Sequence, residues 1–396
     1  MKERIAITGI GVISALGMSV QENLDALLQG KSGIGDIEYL ETKHKGILPV
    51  GEIKKTDEQL ADYLQIPYVK SYTRTSLMAM IAAKEAYLDA KLSTDIKIGL
   101  VSATTVAGMR TSEKHYVDFL KDNSQDGFFI NTHDAGDSTE RVADFLQIKD
   151  FVSTISTACS SSANSIMLGV RLLRSKKIDR AIVGGVDALA LFTINGFNSL
   201  MILDKEACRS FDETRAGLNL GEAAAFLVLV PESKLQESDQ VYGFVEGFAN
   251  ANDAFHQTAS SPEGVGASLA MSKALQMAGI KASEVDYINA HGTATGNNDL
   301  SEGQAIMKVF NQNIPPISST KPFTGHTLAA SGAVEAVYAC LSMQNDVIFP
   351  NLNFAQQMKE LNFSPQIELL NSPVRYVLSN SFGFGGNNSS ILFSKD

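Results

Sequence analysis

The sequence predicts a layered α/β protein built from two similar halves. Short apolar, β-branched runs alternate with helix-period segments along the whole chain. The strand-like runs, such as AAAFLVLV over Ala223–Val230, are apolar on both faces, as in a sheet buried between helical layers. Two stretches of the second half also echo two of the first. At 396 residues the chain can bury a large core or form two lobes.

The elements follow in order. MKERIAITGIGVISALG begins with charges and an apolar run, as a leader peptide does. Thr8, Gly9, Gly11 and Ser14 interrupt the run and no clear cleavage site follows, so Ile5–Ile10 reads as a first strand entering a glycine turn. Val20–Leu28 and the Ala- and Met-rich Arg74–Ala90 read as helices, Ile98–Ala103 as a strand and Asp137–Leu146 as a short helix. The β-branched run Val152–Ile155 reads as a buried strand, followed by a helix with Ile166, Met167, Val170 and Leu173 on one face. Ala181–Val186 and Ala224–Val230 complete the strands of the first half. Ser76–Thr105 then resembles Ser268–Thr295: apolar helix, polar link, strand, Thr-rich loop. The cysteine unit around Cys159 resembles Ile317–Gln344: strand, turn, small-residue helix. A pseudo-two-fold duplication follows, with halves at 1–235 and 236–396, and with Cys159 and the Lys321–His326 loop at equivalent positions.

Bulk composition narrows the function classes. The chain is 44% hydrophobic and 19% charged, ordinary for a globular protein. A net charge of −11 argues against general nucleic-acid binding. No run reaches the ~18 apolar residues of a membrane span. Cys159, Cys208 and Cys340 are spaced for neither a disulfide framework nor a zinc site, and suit a reducing cytoplasm.

Four stretches carry chemistry. STISTACSSS sets Cys159 between a strand and the first turn of a helix, where free N–H groups and the helix dipole favour a thiolate. Ala158 and Ser160–Ser162 leave room for a substrate at the sulfur. From this segment alone, a nucleophile and a buried core cysteine both stay open. NAHGTATGNND carries His291, STKPFTGHTLAASG carries Lys321 and His326, and NSFGFGGNNSS sets glycines around Phe382 and Phe384. Each ends an apolar run, where active-site loops of α/β proteins gather. The glycine loop is not a dinucleotide fingerprint, because no helix or ribose-binding acid follows it. No metal-ligand spacing appears.

These motifs, with ITGIGVISALG and RSFDETRAGLNLGEAAAFLVL, resemble the β-ketoacyl-acyl carrier protein synthases, in particular the elongating kind with a Cys-His-His site. The resemblance spans nearly the whole chain and is weakest over residues 105–150, which look shortened. It implies the thiolase fold, two βαβαβαβ halves in five αβαβα layers. It implies a homodimer or a heterodimer with a related chain, an acyl carrier protein as partner, and no cofactor beyond the carrier's pantetheine. It further implies roles: Cys159 as nucleophile, His291 and His326 for decarboxylation, Lys321 behind them keeping His326 in order, and Glu335 as its acid. Phe384, with Gly383, Gly385 and Gly386, matches a gate. The backbone N–H groups of Cys159 and Phe384 match an oxyanion hole.

Some positions depart from the family pattern. Gly296 stands where Pro is frequent, Pro322 and Phe323 where Ser and Met are usual, and TACSSS lacks a small glycine after the cysteine. No catalytic group is lost. The departures point to a specialised pathway, in fatty-acid, polyene or polyketide synthesis, rather than housekeeping elongation. Because carrier proteins are acidic, Lys70, Arg74 and Arg209 are candidate docking residues. Asp253 and His256 match a loop near the pantetheine tunnel and are read as structural. One alternative is a chain-length-factor-like partner subunit, but such subunits lack the cysteine that this chain has. A thiolase would need a second C-terminal cysteine, absent from NSFGFGGNNSS, and the chain-initiating synthases use Cys-His-Asn.

Overall fold

A computed structural model of the protein describes residues 3–93, 96–122 and 127–396. Residues 94–95 of the polar link and 123–126 of the shortened stretch lie outside the described residues.

The first half contributes strands β1 (Ile5–Ile13), β2 (Ile98–Ala103), β3 (Phe151–Ile155), β4 (Arg180–Asp187) and β5 (Ala223–Pro231). Its helices are α1 (Val20–Leu28), α2 (Asp57–Leu64), α3 (Arg74–Asp89), α4 (Met109–Asp122), α5 (Phe128–Thr132), α6 (Ala135–Leu146), α7 (Ser161–Arg174) and α8 (Leu191–Ser199). The second half contributes β6 (Gly243–Asn252), β7 (Tyr287–Asn289), β8 (Ile317–Ser318), β9 (Val347–Ile348), β10 (Leu370–Asn371), β11 (Tyr376–Gly383) and β12 (Asn387–Ser394). Its helices are α9 (Val265–Ala278), α10 (Gly296–Phe310), α11 (Lys321–Thr324) and α12 (Ser331–Asn345).

The strand order exposes the duplication. The sheet runs β3-β2-β4-β5-β1-β6-β12-β11-β7-β8. Read outward from the centre, β1-β5-β4-β2-β3 pair antiparallel, antiparallel, parallel, parallel. The other half, β6-β12-β11-β7-β8, repeats that series. A short antiparallel ladder, Ile5–Ile7 against Gly243–Val245, joins them. β3 followed by α7 therefore corresponds to β8 followed by α12. The first strand runs to Ile13, longer than expected, because β5 pairs with it along its whole length.

Three hydrophobic clusters mark the layers. The central one packs Ile166, Met167 and Val170 of α7 with Val334, Val337 and Leu341 of α12, between the two halves of the sheet. A second packs α3 on the outer face of the first half, and a third packs α9 and α10 outside the second. The order is αβαβα. Each fully buried Leu, Ile or Val stabilises this arrangement by about 1.5–3 kcal/mol. Close approach of α3 to β1 explains a glycine: a Cβ on Gly11 would lie 2.1 Å from the Ala82 carbonyl oxygen. β3 corrects one expectation. It is an edge strand, only half-buried, with Val152 39% exposed. Its β-branched run reflects strand propensity and not burial on both faces. Among the described residues, no helix is long and apolar enough to cross a membrane.

Candidate active site

Cys159, His291, His326 and Phe384 follow the C-terminal ends of β3, β7, β8 and β11, so the strand topology brings four separate loops to one place. Ala158 takes the left-handed conformation, φ +54°, and turns the chain sharply out of β3. Ser160 stands at the cap position of α7, so Cys159 lies just outside the helix and not in its first turn as expected. The Ser160 hydroxyl donates to the Thr157 carbonyl at 2.7 Å and to Asn387 Oδ1 at 2.6 Å, tying this turn to the other half.

Burial decides the state of the thiol. Cys159 is 6% exposed. Burial pushes its thiol up to about 11, against the lowering effects of the Phe384 backbone N–H, the Lys321 charge and its own N–H. The expected thiolate at rest is thereby corrected: the helix end is too weak to offset dehydration of the sulfur. The two backbone N–H groups directed at the sulfur are those of Phe384 and Cys159.

The histidines have defined tautomers. His326 Nε2 lies 3.1 Å from Cys159 Sγ. Its Nδ1 accepts the backbone N–H of Leu328 at 3.1 Å and lies 3.1 Å from Ser331 Oγ. A ring nitrogen that accepts an N–H carries no proton, so in the neutral ring the proton is on Nε2, facing the sulfur. His291 Nδ1 lies 3.2 Å from Lys321 Nζ, and an ammonium only donates, so its proton is also on Nε2. Burial holds both imidazoles well below their ordinary pKa; the Lys321 charge adds to this, and for His291 so does His326. Both are neutral at pH 7. Their rings meet edge to face with centroids 5.3 Å apart. One nitrogen of each lies within 4.8 Å of the other and of Sγ. The same donor set could suit a soft metal, but both Nδ1 atoms already accept hydrogen bonds and both Nε2 atoms carry protons.

Lys321 pairs with Glu335 Oε1 at 2.5 Å, both 3% exposed. Burial raises the Glu335 carboxyl while Lys321 lowers it. The expectation that Lys321 serves His326 holds for its charge, which helps keep that imidazole neutral, and is corrected for its hydrogen bond, which goes to His291, while the Leu328 N–H and Ser331 hold His326.

A cavity of about 110 Å³ adjoins these groups, walled by Phe197, Ile202, Leu218, Thr258, Asn297 and Phe384 among others. Phe384 stacks on Phe197, centroids 5.6 Å apart and planes 15° from parallel. Gly385 holds φ +80°, which a residue with a Cβ adopts at a cost. Its N–H donates to the Gln257 carbonyl at 2.7 Å, so the loop of Gly383–Gly386 rests on the loop before α9.

Three positioning residues escaped the sequence reading. Glu302 accepts the backbone N–H groups of His291 and Gly292 at 2.9 and 2.8 Å, and burial pushes its carboxyl up to about 7. Asp187 accepts the N–H groups of Val106 and Ala329 at 2.9 and 2.8 Å, linking the loop after β2 to the turn that holds His326. Phe197 stacks on Phe384 from α8. Only Glu302 had a signal, as an acid eleven residues past His291, three beyond the end of its motif.

The docking candidates part ways. Lys70 is exposed. Arg209 is partly exposed, with Glu206 at 2.6 Å and Asp204 at 3.6 Å. Arg74 corrects the expectation: it is 2% exposed, and its guanidinium bonds Glu222, Asp57 and the Ile53 and Lys55 carbonyls. A buried, fully paired cation cannot meet a partner's surface.

Residues 2–235 match the family model "Beta-ketoacyl synthase, N-terminal domain", and residues 242–355 match "Beta-ketoacyl synthase, C-terminal domain". The 3-oxoacyl-[acyl-carrier-protein] synthase 2 of Staphylococcus aureus (strain COL) is 32% identical over 99% of this chain and 98% of its own. Among solved structures, the ishigamide ketosynthase/chain length factor superposes with a TM-score of 0.93 at 28% identity, over 100% of both chains. A type II PKS acyl-carrier protein in complex with its ketosynthase bound to the hexaketide gives 0.87 at 26%, again over 100% of both chains. The thiolase-like fold expected from the motifs is the fold these neighbours share.

Proposed function

Because the chain belongs to the β-ketoacyl synthase family, we propose that the Cys159–His291–His326 site performs a decarboxylative condensation of an acyl thioester with a malonyl thioester. The observation that carries this reading is the pair of neutral histidines beside Cys159, each with Nδ1 engaged and its proton therefore on Nε2.

Cys159 sulfur attacks the carbonyl of an acyl group delivered on a carrier pantetheine. The backbone N–H groups of Cys159 and Phe384 hold the oxyanion, and the thiol proton leaves with the carrier's sulfur. The malonyl thioester then enters. Its carboxylate leaves as CO2, and the freed electron pair forms an enolate. His291 and His326 donate their Nε2–H groups to the enolate oxygen; each such donor contributes a few kcal/mol. The enolate carbon attacks the acyl carbonyl and expels the Cys159 thiolate, which recovers a proton from solvent. Atoms, charge and electrons balance without a cofactor. Lys321, paired with Glu335, keeps His291 neutral and correctly oriented. Phe384 gates the cavity, and Gly383, Gly385 and Gly386 give its loop the freedom to move.

The partners in this reading are an acyl carrier protein and a second ketosynthase-like chain, either a copy of this one or a relative. The solved neighbours named above include a ketosynthase with its acyl-carrier protein and a ketosynthase with its chain length factor. Free Cys159, Cys208 and Cys340 fit the cytoplasm. A role as a purely non-catalytic partner subunit is disfavoured, because the nucleophile and both donors are present and aligned.

The test is CO2 release from malonyl-carrier by wild type, His291→Ala and His326→Ala. Each variant is expected to lose about a hundredfold or more. Wild-type rates in both variants would reject the assignment.

A further inference from the structure

Phe384 sits at the tip of a hairpin. β11 and β12 pair as far as Gly383 with Asn387, and Phe384–Gly386 span the 3 residues between. The tip holds two glycines in left-handed conformations, Gly385 at φ +80° and Gly386 at φ +76°. Glycine adopts many conformations at little cost, so the hairpin alone does not set where the Phe384 N–H points. Contacts with other segments must do so. The tip is tied through Gly385 to Gln257 and Asn252, away from the sulfur.

The base of the hairpin rests on the turn that carries Cys159. On one strand, a Cβ on Gly383 would lie 3.2 Å from both the Cys159 nitrogen and the Thr157 carbonyl oxygen, so backbone meets backbone there. On the other strand, Asn387 Oδ1 gathers three donors. The Ser160 hydroxyl and the Asn250 amide each lie at 2.6 Å, and the Asn164 amide at 3.3 Å. Asn164 also donates to Thr157 Oγ1 at 2.9 Å, and Asn250 to Ser389 Oγ at 2.9 Å. Among the described residues, the Asn387 amide nitrogen donates to no partner, so this side chain serves as an acceptor. Ser160 directly follows Cys159, and Asn387 closes the loop that begins at Phe384. Their contact joins segments 227 positions apart, one from each half.

We infer that Asn387 is a positioning residue: by accepting the Ser160 hydroxyl it holds the Phe384 N–H beside the Cys159 N–H, so that both meet one oxygen. The inference rests on the condensing-enzyme reading, which places an oxyanion at this sulfur. Two donors stabilise an oxyanion only when both stand within hydrogen-bond distance of it, so a loop that slides against the turn misplaces one of them.

Two reactions of the same sulfur separate this role from a merely structural one. Acylation by an acyl-N-acetylcysteamine joins the acyl carbon to Sγ, releases the free thiol and passes through an oxyanion. Alkylation by iodoacetamide also needs the thiolate, releases iodide and builds no oxyanion. The ratio of the first rate to the second therefore reports the oxyanion donors and cancels changes in thiolate supply. Asn387→Leu is expected to lower this ratio about tenfold. Asn387→Asp, which keeps an acceptor for all three donors, is expected to retain the wild-type ratio. Ser160→Ala removes the contact from the other side and is expected to lower the ratio as Asn387→Leu does, with the double variant no lower than either single one. A ratio unchanged in Asn387→Leu and Ser160→Ala, an Asn387→Asp ratio as low as that of Asn387→Leu, or losses that multiply in the double variant each overturn the proposal. Wild type that is alkylated but acylated by no thioester would overturn the condensing-enzyme reading itself, and with it the oxyanion that Asn387 serves.

Discussion

At the scale of single residues, the proposed nucleophile is a reluctant one and the two proposed donors are pre-set. Burial holds the Cys159 thiol near 11, so only a small fraction is thiolate at pH 7. Alkylation of Cys159 by iodoacetamide should therefore rise about tenfold per pH unit from pH 7 to 9 without a plateau; a plateau at neutral pH would show a thiolate already formed. The histidines respond in the other direction. Their depressed pKa values keep them neutral down to well below pH 6.5, so decarboxylation should persist as pH falls toward 6. A loss centred near pH 6.5 would mean that they titrate like free imidazole. The residue types Cys159, His291, His326 and Lys321 were legible in the sequence from their loops and motifs. Their tautomers and the partner of Lys321 were not, because they depend on the folded backbone: Lys321 meets His291 thirty positions away, and only the tight turn after His326 brings the Leu328 N–H onto its ring.

At the scale of elements, the buried pair of Arg74 and Glu222 fastens the start of α3 to β5 and its preceding loop. Glu222 also accepts the N–H groups of Ile53 and Leu189, at 3.0 Å each. Arg74→Met would leave that buried carboxylate with only the more distant Arg110, 3.9 Å away, as a cation, a loss of about 3–5 kcal/mol. The expected result is a clearly lower denaturant midpoint; an unchanged midpoint with a raised KM for the carrier would restore Arg74 as a docking residue. The sequence located α3 almost to the residue, since its Thr73 cap and apolar run are local signals. It could not tell an exposed arginine from a buried one. That difference lies in a carboxylate 148 positions away, and arginine is rarely buried unless paired. The misplacement of Cys159 in the first turn of α7 has a similar origin: the left-handed Ala158 that ends β3 and the serine cap at Ser160 carry no periodic signal.

At the scale of the whole molecule, the duplicated sheet sets Cys159 and the Lys321–His326 loop on matched β-to-α connections and closes the site between the halves. That much was readable from two faint internal echoes, because each half must bury the same kind of strand and helix faces. The edge position of β3 was not, since an edge strand and a central one share their β-branched composition. Among the described residues, β3 pairs only with β2, leaving a free edge beside the Cys159 loop. Free edges invite pairing with another chain. If the proposed pairing with a second chain uses this edge, Val152→Pro, which removes an N–H and stiffens that strand, should shift the protein from dimer toward monomer in sedimentation velocity; an unchanged dimer would place the interface elsewhere. The central claim is that one sulfur carries the acyl group and that two neutral histidines draw CO2 from the second substrate. Intact mass of the protein tests it most directly, after acyl-carriers of several chain lengths and again after malonyl-carrier, with Cys159→Ala in parallel. The predicted result is an acyl adduct on wild type alone, discharged by malonyl-carrier with one CO2 per ketoacyl product. No adduct from any carrier or coenzyme A thioester, or an equal adduct on Cys159→Ala, would contradict it.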